Sequence, residues 1–347
     1  MNNDLIMNRR TALKSMTAAG IGAAISALSG AALADDAPAD EKTEKKAKYV
    51  NPIAVSSYSY WVSEDAPTME QCIDWASEMG FEGLEILEKQ MYLNPKAGKI
   101  TSSVIPGGGQ MFQTYETNPD YLRNLKKYAF ENGVSLCGYA THQSFLDPRE
   151  DFREKNIKTT IAGIESAYAL GIPVLRVNTG RWGTSKSFMD LMNHKGIEPA
   201  LEGYKDEDGF PWVIDSLEKC LPVAEKCGVI LGLENHWGLA RRAEGALKIV
   251  NEIDSPWMKI ILDTGNLLDD DRYEQMEALA AKACFVHAKF YYGGGIYYTL
   301  DMDYNRIAQI LRKANFKGYI SVEFEGKESS MTALPKCRQT LLDAFNA

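Results

Sequence analysis

The sequence is short of the features that define several large protein classes. Cysteine occurs six times in 347 residues and never as CxxC, so neither a disulfide framework nor a thiolate metal site organises the fold. Cys137 and Cys284 fall within apolar runs and read as small core residues. Cys220 and Cys227 share one helical pattern, which at helical rise sets them ~10 Å apart, beyond disulfide reach. Positive charge is in deficit: 38 Lys and Arg face 47 Asp and Glu, a formal net charge of −9. That balance argues against a nucleic-acid backbone as partner. The GxGxxG fingerprint is missing as well, which argues against hydride transfer on a dinucleotide.

Long apolar runs are also missing. The most apolar stretch, 16–33, is broken by Ser, Thr and Gly and does not read as a membrane span. It follows Asn8-Arg9-Arg10-Thr11-Ala12-Leu13-Lys14 and ends in Ala32-Leu33-Ala34. This order resembles a twin-arginine export signal with a small-residue cleavage site, with Ala12 where that motif usually carries Phe. The expectation is a signal peptide over 1–34, a disordered charged linker over 35–50 and one domain over 51–347. An exported, periplasmic or extracytoplasmic protein follows, which meets the export machinery through its signal and keeps no stable membrane insertion after cleavage.

From residue 52 onward, short apolar runs alternate with amphipathic ones. Strands are expected over 53–57, 83–87, 134–139, 174–178, 229–234, 259–263, 284–289 and 319–324. Helices are expected over 69–79, 119–132, 149–170, 212–227, 243–253, 273–283, 304–314 and 333–345. Strands alternating with helices imply a parallel sheet, and eight such units close into a (β/α)₈ TIM barrel. Gly80, Gly133, Gly171 and Gly228 punctuate helix ends, and Asn118-Pro119 caps a helix start. Long connections at 88–116, 179–210 and 290–303 read as cleft-building loops, two of them holding the glycine runs 107–109 and 293–295.

The ends of the last four strands carry Glu234, Asp263, His287 and Glu323. Carboxylates at the ends of buried strands are costly to desolvate, and three with one imidazole form a hard ligand set. One divalent metal ion, Mn²⁺, Mg²⁺ or Zn²⁺, is the expected cofactor. Glu325, two residues beyond Glu323 and on the same strand face, is the alternative fourth ligand.

The motifs Leu233-Glu234-Asn235-His236, Leu262-Asp263-Thr264-Gly265-Asn266, Val286-His287-Ala288-Lys289 and Val322-Glu323-Phe324-Glu325-Gly326 resemble the final four strands of the xylose-isomerase-like barrel superfamily. The resemblance covers roughly residues 50–345. It implies that the four residues bind one divalent cation, and that Glu234 and Glu323 are the catalytic acid/base pair. Its implied activity is that of a sugar isomerase or epimerase on a small-molecule carbohydrate. A lyase or hydrolase acting on keto-glycosides is the alternative. An endonuclease IV-like nuclease or a non-catalytic carbohydrate-binding protein fits less well. Asn266 stands where many relatives carry His, and with four histidines in the chain a trinuclear centre is disfavoured.

Substrate-binding candidates are His236, Lys289, Asn178, His142, Glu85 and Trp237, all at or just beyond strand ends. Aromatic residues crowd the same loops: Tyr58, Tyr60, Trp61, Trp182, Trp237, Tyr291 and Tyr292. Such rings stack on the C–H faces of sugars. A homo-oligomer is compatible with the sequence.

Overall fold

A computed structural model describes residues 51–61, 66–104 and 111–346. The signal and linker expected over 1–50 therefore lie outside the described residues, as does the glycine run 107–109. The strands described are β1 (Ile53–Ser56), β2 (Gly83–Leu87), β3 (Gly98–Val104), β4 (Met111–Thr117), β5 (Ser135–Ala140), β6 (Val174–Val177), β7 (Ile230–Glu234), β8 (Met258–Asp263), β9 (Ala283–Phe290) and β10 (Ile320–Phe324). Eight of these close into a barrel in the order β1-β10-β9-β8-β7-β6-β5-β2. All neighbours in the barrel are parallel. The fold is a single (β/α)₈ barrel, as the alternation of strand and helix patterns predicts.

Local chemistry places the helices. Asn118 accepts the Asp120 N–H at 3.1 Å ahead of Pro119, and the two longest helices end on left-handed Gly171 and Gly228. One of them, Asp206–Cys227, starts six residues before the expected boundary. The helix runs through Pro211 although an interior proline costs a hydrogen bond. Asp206, Glu207 and Asp208 in the first turn favour the longer helix through its dipole.

The connection 88–116, expected as a loop, holds a short helix, Glu88–Met91, and the antiparallel pair β3–β4. Tyr115 of that hairpin stacks on Tyr92 with ring centroids 4.5 Å apart, which anchors it to the barrel. The connection 179–210 likewise contains a helix, Phe188–Asn193, capped by Ser187, whose hydroxyl accepts the Asp190 N–H at 3.0 Å. All six cysteines are unpaired. Among the described residues no helix is long and apolar enough to cross a membrane.

Burial divides the barrel interior into two levels. Ala54, Cys137, Val174, Ile261 and Phe285 form one apolar cluster. Two residues further along their strands come Ser56, Arg176, Asp263 and His287, and side chains that alternate with period two share a face. An apolar plug therefore fills the lower barrel, with the polar residues stacked above it at the C-terminal ends of the strands. The outer shell of aliphatic residues, among them Leu84, Leu231, Ile260 and Val322, packs against the surrounding helices.

Candidate active site

Register brings the strand-end residues side by side: Asp263 lies opposite His287, and Glu323 opposite Lys289. Glu234, Asp263, His287 and Glu323 are all buried, and each offers one ligand atom within 4.8 Å of the other three. His287 is held from both sides. Its Nδ1 lies 3.0 Å from Glu234 Oε1 and 3.8 Å from both Asp263 Oδ2 and Glu323 Oε1, while Nε2 lies 2.9 Å from Glu85 Oε1. A metal ligand whose second ring nitrogen is fixed by a carboxylate has this arrangement. Glu85 is in turn held by the Ser321 hydroxyl at 3.3 Å.

Two buried carboxylate oxygens in this group lack a hydrogen-bond donor, Glu234 Oε2 and Asp263 Oδ2. Cations stand near both, Arg176 Nη1 at 3.4 Å from the first and Lys289 Nζ at 3.3 Å from the second, without completing a hydrogen bond. The other Asp263 oxygen accepts the Gly265 and Asn266 N–H groups at 2.7 and 3.0 Å, so the loop turns Oδ2 toward the centre. Orphaned oxygens beside a fixed imidazole fit a divalent cation, and Glu234, Asp263, His287 and Glu323 could hold it.

The charges are strongly coupled. Burial would raise the Glu234 carboxyl, but Arg176, His236 and His287 hold it well below the usual range. Glu323, which burial would also raise, is brought down to about 2 by His287 and Lys289. Burial dominates at Asp263 and, with help from Glu323 and Glu234, pushes it up to about 7 against the pull of Lys289. His287 behaves oppositely to an ordinary buried imidazole: burial would lower it, yet Glu323, Glu85 and Glu234 raise it well above its usual value.

Above this group opens a cavity of about 590 Å³. Of the four residues, Glu234 and Glu323 reach its wall, whereas Asp263 and His287 are fully enclosed. His236, Lys289, Asn178, His142 and Trp237 also line it. Glu85 lies beneath, on His287, and is not among the lining residues. Glu325 stands one step up the strand from Glu323, accepting from Lys289 Nζ at 3.1 Å and from the Tyr58 hydroxyl at 3.3 Å. His236 and His142 are lowered, to about 4 and about 3, chiefly by burial, so both rings are neutral.

The aromatic residues separate. Tyr58, Trp61 and Trp237 line the cavity. Tyr60 is enclosed against Trp75, Trp182 packs on Tyr204 and Trp212, and Tyr291 and Tyr292 border a neighbouring cavity. Sequence reasoning missed Arg176, Lys89, Tyr297 and Tyr298, all on the cavity wall. Arg176 was within reach of the strand period, because it stands two residues before Asn178 on β6.

Asn178 is fixed in the wall by Gln143: its side-chain oxygen accepts the Gln143 N–H at 3.3 Å, and its own N–H donates to the Gln143 side chain at 3.2 Å.

Similarity to solved structures agrees with this architecture. The apo form of 3-keto-D-glucoside 4-epimerase YcjR from E. coli is 17% identical, with a TM-score of 0.61 over 84% of this chain and 99% of that one. A D-tagatose 3-epimerase-like protein is 20% identical, TM-score 0.60, over 84% and 98%. The IOLI protein with a bound zinc atom is 14% identical, TM-score 0.60, over 85% and 98%. At these identities the likeness establishes the fold. None of the curated proteins matches the sequence. Residues 73–341 match the family described as xylose isomerase-like TIM barrel, and the chain belongs to that family.

Proposed function

We propose that the protein is a divalent-metal-dependent isomerase or epimerase of a small carbohydrate, with Glu234 and Glu323 as the proton-transferring pair. One observation carries this reading: of four buried residues that could hold a cation, only these two carboxylates also form part of the cavity wall. They stand on β7 and β10, with β8 and β9 between them in the barrel, so a sugar carbon over the centre would meet a carboxylate on either side. The names of the structural neighbours, sugar epimerases among them, support the same class.

A cation at this centre supplies Lewis-acid polarisation of adjacent carbonyl and hydroxyl oxygens. The chain supplies the proton chemistry. Arg176 keeps Glu234 ionised and able to accept the proton from a carbon next to a carbonyl. Redelivery from the other side falls to Glu323, which must first take a proton from water, because His287 and Lys289 hold its carboxyl down to about 2 against burial and its Oε2 lies 2.6 Å from the Lys289 ammonium. His236 and Trp237 close the wall beside Glu234, and Asn266 and Tyr298 the wall above Asp263.

A second reading, lyase or hydrolase action on a keto-glycoside, draws on the reach of the cavity beyond its charged floor to Phe188, Met192 and Tyr297. That space would take a leaving group, and one neighbour is named for a 3-keto-glucoside. The Arg9-Arg10 segment supports placing the activity outside the cytoplasm. Turnover in deuterated solvent tests the main reading: label should enter one carbon of the product or the recovered sugar. Release of an aglycone without any isomer would transfer the assignment to the second reading.

A further inference from the structure

Charges on the cavity wall come with counter-charges, with one exception. Arg176 faces Glu234, Lys289 faces Glu323 and Glu325, and Arg181 faces Glu198. Lys89 also lines the cavity. Among the described residues no carboxylate pairs with it, and its ammonium sits 5.7 Å from the centre of the Trp61 ring. In a chain of net charge −9, a lysine that lines a cavity and has no paired carboxylate among the described residues suits an anionic ligand.

Its neighbours point the same way. Lys89 lies in the short helix directly after β2; His142 follows β5 and Arg176 lies on β6, and these three strands are consecutive in the barrel. Arg176 Nη2 donates to the Thr141 carbonyl at 3.0 Å and lies 3.1 Å from His142 Nε2, while its buried Nε has no acceptor. Arg176 Nη2 also lies 3.4 Å from His142 Nδ1, so the guanidinium meets the ring edge, where a neutral imidazole accepts through one nitrogen and donates through the other. Burial first, then Arg176, His236 and Lys89, drive His142 down to about 3 against the opposing Glu234. Glu323 and Glu325 lie on β10 and just beyond it, opposite β6 and two strands from β2 in the barrel order.

We propose that Lys89, with His142 and Arg176, forms a subsite for an oxyanion carried by the sugar, a carboxylate or a phosphate ester. The substrate is then an acidic sugar. This rests on the carbohydrate reading above and names its substrate class. The oxyanion balances Lys89 and receives the free donors of this wall, which leaves the carbon skeleton directed toward Glu234 and Glu323. A neutral sugar could accept from the Arg176 Nε through a hydroxyl, but it offers Lys89 no counter-charge, and none pairs with it among the described residues.

Calorimetric titration of the full chain supplied with Mn²⁺ tests this with three probes: D-glucose, D-glucuronate and D-glucose 6-phosphate. One or both acidic sugars should bind at least about tenfold tighter than glucose, the gain expected of a charge-assisted contact, and the ratio should shrink as salt is added. Whichever acid binds tighter identifies the oxyanion as carboxylate or phosphate. Lys89→Met should bring the ratio close to one and Lys89→Arg should preserve it, each protein's glucose affinity serving as its own reference. Equal affinities in the wild type, or an unchanged ratio in Lys89→Met, would overturn the subsite and leave the carbohydrate reading standing. Binding of none of the three would overturn both.

Discussion

His287 Nε2 lies 2.9 Å from Glu85 Oε1, although the two residues are 202 positions apart in the chain. The contact fixes the ring so that Nδ1 faces Glu234, Asp263 and Glu323. Glu85 thereby acts on the candidate metal centre without belonging to it. Glu85→Ala should lower Mn²⁺ affinity by about 10–100-fold, the usual cost of losing a partner that orients a metal-binding histidine. Glu85→Gln should cost less, since an amide oxygen still accepts from the ring. Equilibrium dialysis against Mn²⁺ measures both, and unchanged affinity in Glu85→Ala would show that the ring is held by its packing alone.

Glu234 and Glu323 should differ from Glu325, the third carboxylate on the wall. Glu234→Gln and Glu323→Gln should each reduce kcat by about 10²–10⁴, the range associated with general acid–base groups, and each should weaken metal binding. Glu325→Gln should keep stoichiometric metal, because Glu325 faces Lys289 and Tyr58 rather than the four-residue centre. Metal analysis of the purified variants, with His287→Ala alongside, separates these outcomes. Stoichiometric metal retained in both Glu234→Gln and His287→Ala would remove these residues from the ligand set.

Much of this centre was legible in the sequence because its residues close strands whose apolar runs are unmistakable: 229–233 before Glu234, and 319–322 before Glu323. The barrel followed from the same alternation. The sequence did not single out Arg176, and it offered Glu85 as a substrate contact rather than as the partner of His287. Each sits inside a short buried strand, where only the strand period and a partner on a distant strand reveal which way a charged side chain points. Lys89 was invisible for another reason: it belongs to a four-residue helix too short to produce a periodic signal. The β3–β4 hairpin escaped because much of it is polar, and its packing depends on Tyr92 outside the hairpin.

Glu88 provides a pH signature outside the candidate metal centre. Burial pushes its carboxyl up to about 8, against the lowering effect of the Tyr139 hydroxyl 3.3 Å away. The folded protein thus retains a proton that the unfolded chain releases near the ordinary value of 4.5. Stability from this group is fully present below 4.5 and is lost as pH rises to about 8. Glu88→Gln cannot ionise and should gain on the wild type across that window, by up to a few kcal/mol at the alkaline end. Thermal melts of both proteins at several pH values measure the gap. A gap that stays constant with pH would show that Glu88 titrates as an exposed carboxylate does.

The proposed export signal bears on the choice of metal. An oxygen-rich site with one histidine cannot reject Cu²⁺ or Zn²⁺ by ligand type, and both outcompete Mn²⁺ at most sites of this kind. A protein that folds before export could take up its metal in the cytoplasm and enclose it before meeting those competitors. Asp263 and His287 are fully enclosed in the barrel, which would slow later exchange. Arg9→Lys combined with Arg10→Lys should therefore block export, as measured by fractionation of cells making the full chain. Protein exported with its own signal should carry Mn²⁺ or another weakly competing ion, while the same chain exported unfolded behind a different signal should carry zinc or copper. Metal analysis of the two periplasmic preparations decides the matter: identical content would show that the site equilibrates after export, and that folding order does not select its ion.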